Sequence, residues 1–395
     1  MSNVIPLSQP DITESEIAAV VGTLRSGRLS IGPQADAFER LVAERAGRPF
    51  GVAVNSGTSG LFLSLIALGI GPGDEVITPA FSFVASANCV LHAGATPVFV
   101  DCDPRTLNMS LAEVERAFTP RTKAVIGVEV FGNPADMPEL ASLCARHEVP
   151  LVEDACEGLG GMLKGEPIGH FGRMAVFGFF PNKQITTGEG GMIVTHDDRL
   201  AALCRSLRNQ GRPLQPEPSS GSPVPFESPG LGSWLEHERM GFNFRLPEIN
   251  AALGVAQMRR LDQILDARQR VADGYFRRLG GNPDLILPTI PPDTLMSWFV
   301  YVIRLSDRYT AADRDEIIAG LRRHDIGASN YFPPIPLLPF YRRAYGYVPG
   351  DFPVAERVSE RTIALPFHNR LTEREQDLIC QTLEVMMQRM TFSRD

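Results

Sequence analysis

From residue 51 onward, short apolar, β-branched runs alternate with helical patterns: GVAV (51–54), EVITP (75–79), TPVFVD (96–101), KAVIGVEV (123–130) and PLVED (150–154). Parallel strands need a long crossover between them, and that crossover is right-handed, so the repetition predicts a mostly parallel sheet covered by helices on both faces. In such a sheet ligands bind beyond the carboxyl ends of the strands. Those ends carry Asn55-Ser56-Gly57, Pro79-Ala80, Asp101 and Asp154. Two further runs, MAVFGFF (174–180) and GMIVT (191–195), flank the turn PNKQITTGEGG, whose hydroxyls and glycines mark a binding loop.

A chain of 395 residues is expected to hold two or three structural units. Residues 1–260 are read as the large α/β domain and 261–395 as a smaller C-terminal α+β domain. The stretch 246–279 has apolar residues at helical spacing and predicts one long helix leaving the first domain. A candidate strand WFVYVIRL (298–305), a helix near 311–323, the proline-rich loop YFPPIPLLPFY (331–341) and a closing helix near 372–390 follow. Six prolines in residues 212–233 exclude a regular element there; an insertion and an ordered lid both stay open.

Charge narrows the function. Lys plus Arg number 38 against 46 Asp plus Glu, a net charge of −8, and that field repels phosphate backbones, so nucleic acid is not an expected partner. No apolar run approaches the ~18 residues of a membrane span, and the N-terminus lacks a signal-peptide pattern. The six cysteines are scattered, without C-x-x-C, as reduced thiols of a cytoplasmic protein would be. Neither H-E-x-x-H, a Walker A loop nor a G-x-G-x-x-G fingerprint occurs, so no metal site is expected and dinucleotide chemistry is disfavoured.

Four features carry chemistry. Lys183 lies in the turn between two buried strands, where a cation is costly and the neutral, nucleophilic amine is favoured. Asp154 ends PLVED at a strand's carboxyl end; a buried carboxylate there needs a cation, a pyridinium nitrogen being one candidate, or else it caps the next helix. NSGTSGLFLSLIALG (55–69) runs from a small-residue turn into a helix whose free N–H groups, with Gly57, Thr58 and Ser59, form a phosphate cup or else an ordinary helix cap. Phe83, after EVITP, is placed to stack on a flat ring or to pack in the core.

Taken in order, NSGTSGLFLSLIALGIGPGDEVITPAFSFVASAN, GATPVFVDCDP, VEDACEGLGG, FFPNKQITTGEGGMIVT and GFNFRLPEINAALGVAQ resemble the DegT/DnrJ/EryC1/StrS family. Its members are pyridoxal-phosphate-dependent sugar aminotransferases of fold type I, the aspartate aminotransferase-like fold. The resemblance makes Lys183 the residue that carries pyridoxal 5'-phosphate as an internal aldimine, Asp154 the partner of the pyridine nitrogen and Phe83 the stacking aromatic. Gly57 and Thr58 match the phosphate-binding turn, and the GFNFR segment, through Asn243 with Arg245 as a second contact, matches the stretch that reaches the neighbouring subunit's phosphate. A homodimer with shared active sites is implied.

The departures are informative too. Many members have Ser where this chain has Gly178, five residues before the lysine, and His or Gln where it has Glu157. Glu157 together with FF-x-NK-x-ITTGEGG resembles the GDP-perosamine-type enzymes, which aminate C4 of a 4-keto-6-deoxy sugar; it is expected near the ring's 3-oxygen. Where the family often has His, the 331–341 loop has Pro336. The implied reaction moves an amino group from an amino acid, glutamate, to a nucleotide-linked keto sugar. The rivals are a C3 keto-sugar or aminocyclitol aminotransferase and a non-catalytic sensor or partner protein on the same fold.

Overall fold

The computed structural model describes residues 4–213 and 237–392. Seven strands build the central sheet in the spatial order Phe50–Val54, Gly191–Thr195, Met174–Gly178, Leu151–Asp154, Thr122–Val128, Glu75–Pro79 and Thr96–Val100. Each lies on a run read as a strand in the sequence. The last five named pair in parallel, whereas Gly191–Thr195 runs antiparallel to both of its neighbours. The connection from Gly178 to Gly191 explains the exception. It holds no helix, so the chain returns beside the strand it has left, and this return carries Lys183.

Both faces of the sheet are buried, as its continuous apolar runs require. Val52, Val54, Ile126, Val128, Val152, Val176 and Ile193 point to one face, under the helices Gly57–Ala67 and Ala85–His92. Ala53, Ala175, Phe177, Met192 and Val194 point to the other, where Phe38, Val42 and Val255 cover them. Each Val, Ile, Phe and Met among them contributes about 1.5–3 kcal/mol when fully buried.

A second core contains Ile5, Val271, Tyr275, Trp298, Tyr301, Ile317, Ile363 and Leu383. It surrounds a three-stranded antiparallel sheet of Leu285–Ile286, Tyr301–Leu305 and Thr362–Leu365. The start of the chain joins this unit: Ile5 N–H donates to Asp325 O at 2.8 Å, and Ile5 O accepts from Gly327 N–H at 2.8 Å.

Two expectations are corrected. The stretch 246–279 is not one helix but two, Glu248–Met258 and Leu261–Leu279. Arg260 sits in the break at φ −109°, ψ 7°, with its guanidinium on Asp11 at 2.9 Å and Glu16 at 2.7 Å; the N-terminal segment holds the elbow. The run 298–305 forms a strand only over Tyr301–Leu305. Its partner strand ends at Leu365 and Pro366 follows, which has no N–H to extend the ladder. Trp298 and Phe299 are thus released from the sheet. Of the 212–233 segment, all but Arg212 and Pro213 lies outside the described residues. No described helix is long and apolar enough to cross a membrane.

Candidate active site

The carboxyl ends of Leu151–Asp154 and Met174–Gly178 lie side by side, Asp154 being in register with Val176, and the turns beyond them converge. Asp154 is 6% exposed. Its Oδ1 accepts the Cys156 N–H at 3.4 Å. Burial pushes its carboxyl above the ordinary value, against the pull of Cys156 and of the nearby Lys183 charge. It makes no ion pair within 4 Å among the described residues.

Lys183 reaches the same volume from its turn, which is fixed by Lys183 N–H donating to Phe180 O at 3.0 Å. Its Nζ stands 3.6 Å from Glu157 Oε1 and 3.9 Å from the centroid of the Phe299 ring. Glu157 Oε2 accepts the Phe131 N–H at 2.8 Å. Burial raises the Glu157 carboxyl, and Lys183 and that N–H draw it back.

Two supporting residues escaped the reading of the sequence. Gln184 Nε2 lies within hydrogen-bond reach of Glu157 O (2.6 Å), Ser297 Oγ (2.8 Å) and Ser297 O (3.1 Å). One amide thereby ties together the turns that carry Lys183, Glu157 and Phe299. Arg268, 4% exposed, donates through Nη2 to Lys183 O at 2.9 Å and to Asn182 O at 3.4 Å. Burial lowers its guanidinium to about 10. Its signal was in the sequence: on the helix Leu261–Leu279 it continues the buried stripe of Ile264, Val271 and Tyr275, where a charge is out of place.

The phosphate cup forms where the first strand ends. Ser56 caps the helix Gly57–Ala67, its Oγ accepting the Ser59 N–H at 3.1 Å. The Gly57 and Thr58 N–H groups have no acceptor among the described residues. A Cβ on Gly57 would meet Cys156 Sγ at 2.8 Å, and one on Gly178 would meet it at 3.2 Å. Cys156 therefore fills the space beside Gly178 into which a serine at that position would extend.

Phe83 is 59% exposed, so it is not a core residue; its ring meets Phe332 at 6.5 Å between centroids, tilted by 57°. Phe332 in turn stacks on Phe131 at 5.5 Å. The 331–341 loop is held to the sheet by Ile335 N–H donating to Ala80 O at 2.8 Å, with Pro336 buried beside it. Asn243 and Arg245 stand apart. Asn243 is exposed, and Arg245 Nη1 donates to Asn209 Oδ1 at 2.8 Å. Neither touches Lys183, Asp154 or Glu157 of its own chain. A cavity of about 690 Å³ lined by Gly69, Asp74, Thr122 and Pro150 lies at the other end of the sheet, by the strands' amino ends, and shares no residue with this site.

The arrangement fits pyridoxal phosphate. An unpaired buried carboxylate meets the need of a protonated ring nitrogen for a counter-charge, free N–H groups at a helix start suit a phosphate, and the lysine amine is close enough to act on that carboxylate. The described residues hold no cluster of three His, Cys, Asp or Glu side chains placed for a metal ion.

Comparison with known proteins agrees with this chemistry. The chain is 37% identical over 381 residues to the spore coat polysaccharide biosynthesis protein SpsC of Bacillus subtilis, covering 96% of each. It is 38% identical over 360 residues to GDP-perosamine synthase of Caulobacter vibrioides, covering 91% of each. Its fold matches the pyridoxal-phosphate form of Spr1654 from Streptococcus pneumoniae with a TM-score of 0.89 at 29% identity, over 98% of this chain and 99% of that one. The profile of the DegT/DnrJ/EryC1/StrS aminotransferase family matches residues 10–384. The chain belongs to that family and is a pyridoxal-phosphate-dependent sugar aminotransferase.

Proposed function

We propose that the protein moves the amino group of L-glutamate to C4 of a nucleotide-linked 4-keto-6-deoxyhexose, as a homodimer whose two sites each draw on both subunits. The observation that carries the C4 reading is Glu157 set 3.6 Å from the Lys183 amine. That residue pair, in its FF-x-NK-x-ITTGEGG setting, accompanies 38% identity to a GDP-perosamine synthase.

When bound, pyridoxal phosphate supplies an aldehyde for the lysine or substrate nitrogen and a ring that withdraws electrons from the adjacent carbon. Asp154 would hold the ring nitrogen and keep it protonated, because a carboxylate this buried is stabilised by a positive partner. Gly57 and Thr58 would bind the phosphate through their N–H groups, and the exposed Phe83 ring would cover one face. Lys183 Nζ would accept the proton from the α-carbon of the amino acid. Glu157 orients that amine and, held by the Phe131 N–H, does not itself carry the proton.

The test is to incubate the protein with L-glutamate and a nucleoside-diphosphate 4-keto-6-deoxyhexose and to locate the new amine by NMR. One equivalent of 2-oxoglutarate with the amine on C4 is expected. An amine on C3, or a keto sugar left unchanged while glutamate is consumed, overturns the C4 assignment.

A further inference from the structure

The long stem of Lys183 would let its nitrogen roam, yet two neighbours of different kinds fix it. Glu157 Oε1 lies 3.6 Å away and the centroid of the Phe299 ring 3.9 Å away. Phe299 is 3% exposed and Glu157 5% exposed, so water screens neither. A ring face attracts an ammonium through its quadrupole but distinguishes it from a neutral amine, which packing alone would not do. The register is also fixed. Gln184 adjoins Lys183, Ser297 stands two residues before Phe299, and the Gln184 amide reaches both Ser297 and the Glu157 carbonyl. Of the other charged groups nearby, Asp154 acts on Lys183 only through space, and Arg268 binds the backbone carbonyl, not the amine.

We propose that Phe299 is a positioning residue for Lys183: its ring face holds the protonated amine against Glu157 and so stabilises the form the lysine takes on accepting the substrate proton. This rests on the reading of Lys183 as the proton carrier. In that step the α C–H bond breaks, its electron pair stays on carbon, and the proton forms a new N–H bond on Nζ, where the charge appears between carboxylate and ring.

The test replaces Phe299 in the full chain by 4-fluoro-, 3,5-difluoro- and 3,4,5-trifluorophenylalanine, which keep the packing and progressively weaken the negative ring face. In cofactor-free protein at one neutral pH, capture of pyridoxal phosphate, followed by its visible band, is expected to speed up stepwise. The trifluoro variant should be about three- to tenfold faster, because the weakened ring face grips the amine less firmly. In the loaded protein, the single-turnover rate with saturating L-glutamate should fall by a similar factor, while the half-saturating glutamate concentration stays put. Flat rates across the series in both measurements overturn the proposal and leave Phe299 as packing. F299L, checked by its melting temperature, should change both rates at least as much as the trifluoro variant. K183A keeps the two readings apart: a native-like visible band in K183A sinks the Lys183 assignment itself, whatever the fluorine series gives.

Discussion

At the scale of residues, the contacts around Lys183 are separable by how they fail. Glu157→Gln keeps the shape and the Phe131 N–H contact but loses the charge facing the amine. Close buried charge pairs are worth about 1.5–7 kcal/mol, so kcat should fall at least about 10-fold with cofactor binding retained; steady-state kinetics beside a pyridoxal phosphate titration checks both. Arg268→Met leaves the Lys183 and Asn182 carbonyls without their buried donor. It should cost about 1–3 kcal/mol of stability in chemical denaturation. Arg268→Lys should rescue little, since one ammonium cannot reproduce the guanidinium fork. Lys183 and Asp154 could be singled out in the sequence because each is a charge at a place where burial is expensive, whereas Glu157 stood out only through the family resemblance. Gln184 and Phe299 could not: the Gln184 partner Ser297 is 113 residues away, and an aromatic in an apolar run gives no sign of what its face meets.

Among elements, the strands were legible because burial on both faces writes itself as a continuous apolar run, and their mostly parallel pairing because crossovers take space; their spatial order was not. Where legibility failed, a single residue overruled a pattern. Arg260 broke the periodic 246–279 stretch by bonding to Asp11 and Glu16, and Pro366, just past the end of the partner strand, shortened the run 298–305. The meeting of the phosphate turn with the strand Met174–Gly178 shows the same dependence on partners. Cys156 packs against both Gly57 and Gly178. Gly178→Ser alone should therefore destabilise by about 1–3 kcal/mol through overpacking. The double variant Gly178→Ser with Cys156→Ala should recover most of that, a coupling of about 0.5–3 kcal/mol in a double-mutant cycle of unfolding free energies. Additive losses would mean that the serine meets something other than Cys156.

For the whole molecule, charge and symmetry set the terms. Glu129, fully buried beyond the strand Thr122–Val128, receives no hydrogen bond at either oxygen among the described residues. Burial first, then the neighbouring Glu153 carboxylate, pushes its carboxyl well above the ordinary range. A folded pKa above the unfolded one means that the native state keeps a proton the unfolded chain releases, so stability falls as pH rises beyond the unfolded carboxyl value. Glu129→Gln should lose less stability than the natural protein over that rise, as denaturation at pH 5 and pH 8 would reveal. Symmetry gives the sharper test. Asn243 is exposed and touches none of the lysine's neighbours in its own chain, as a residue serving the partner's site should. In a two-fold dimer the two sites are equivalent by rotation. A heterodimer of Lys183→Ala and Asn243→Ala subunits would place both lesions in one site and leave the other intact. Random reassociation of equal amounts makes half the dimers mixed, so about a quarter of all sites should regain natural activity, measured after co-refolding the two variants. If Asn243 served its own chain instead, every site would carry one lesion and mixing would restore nothing.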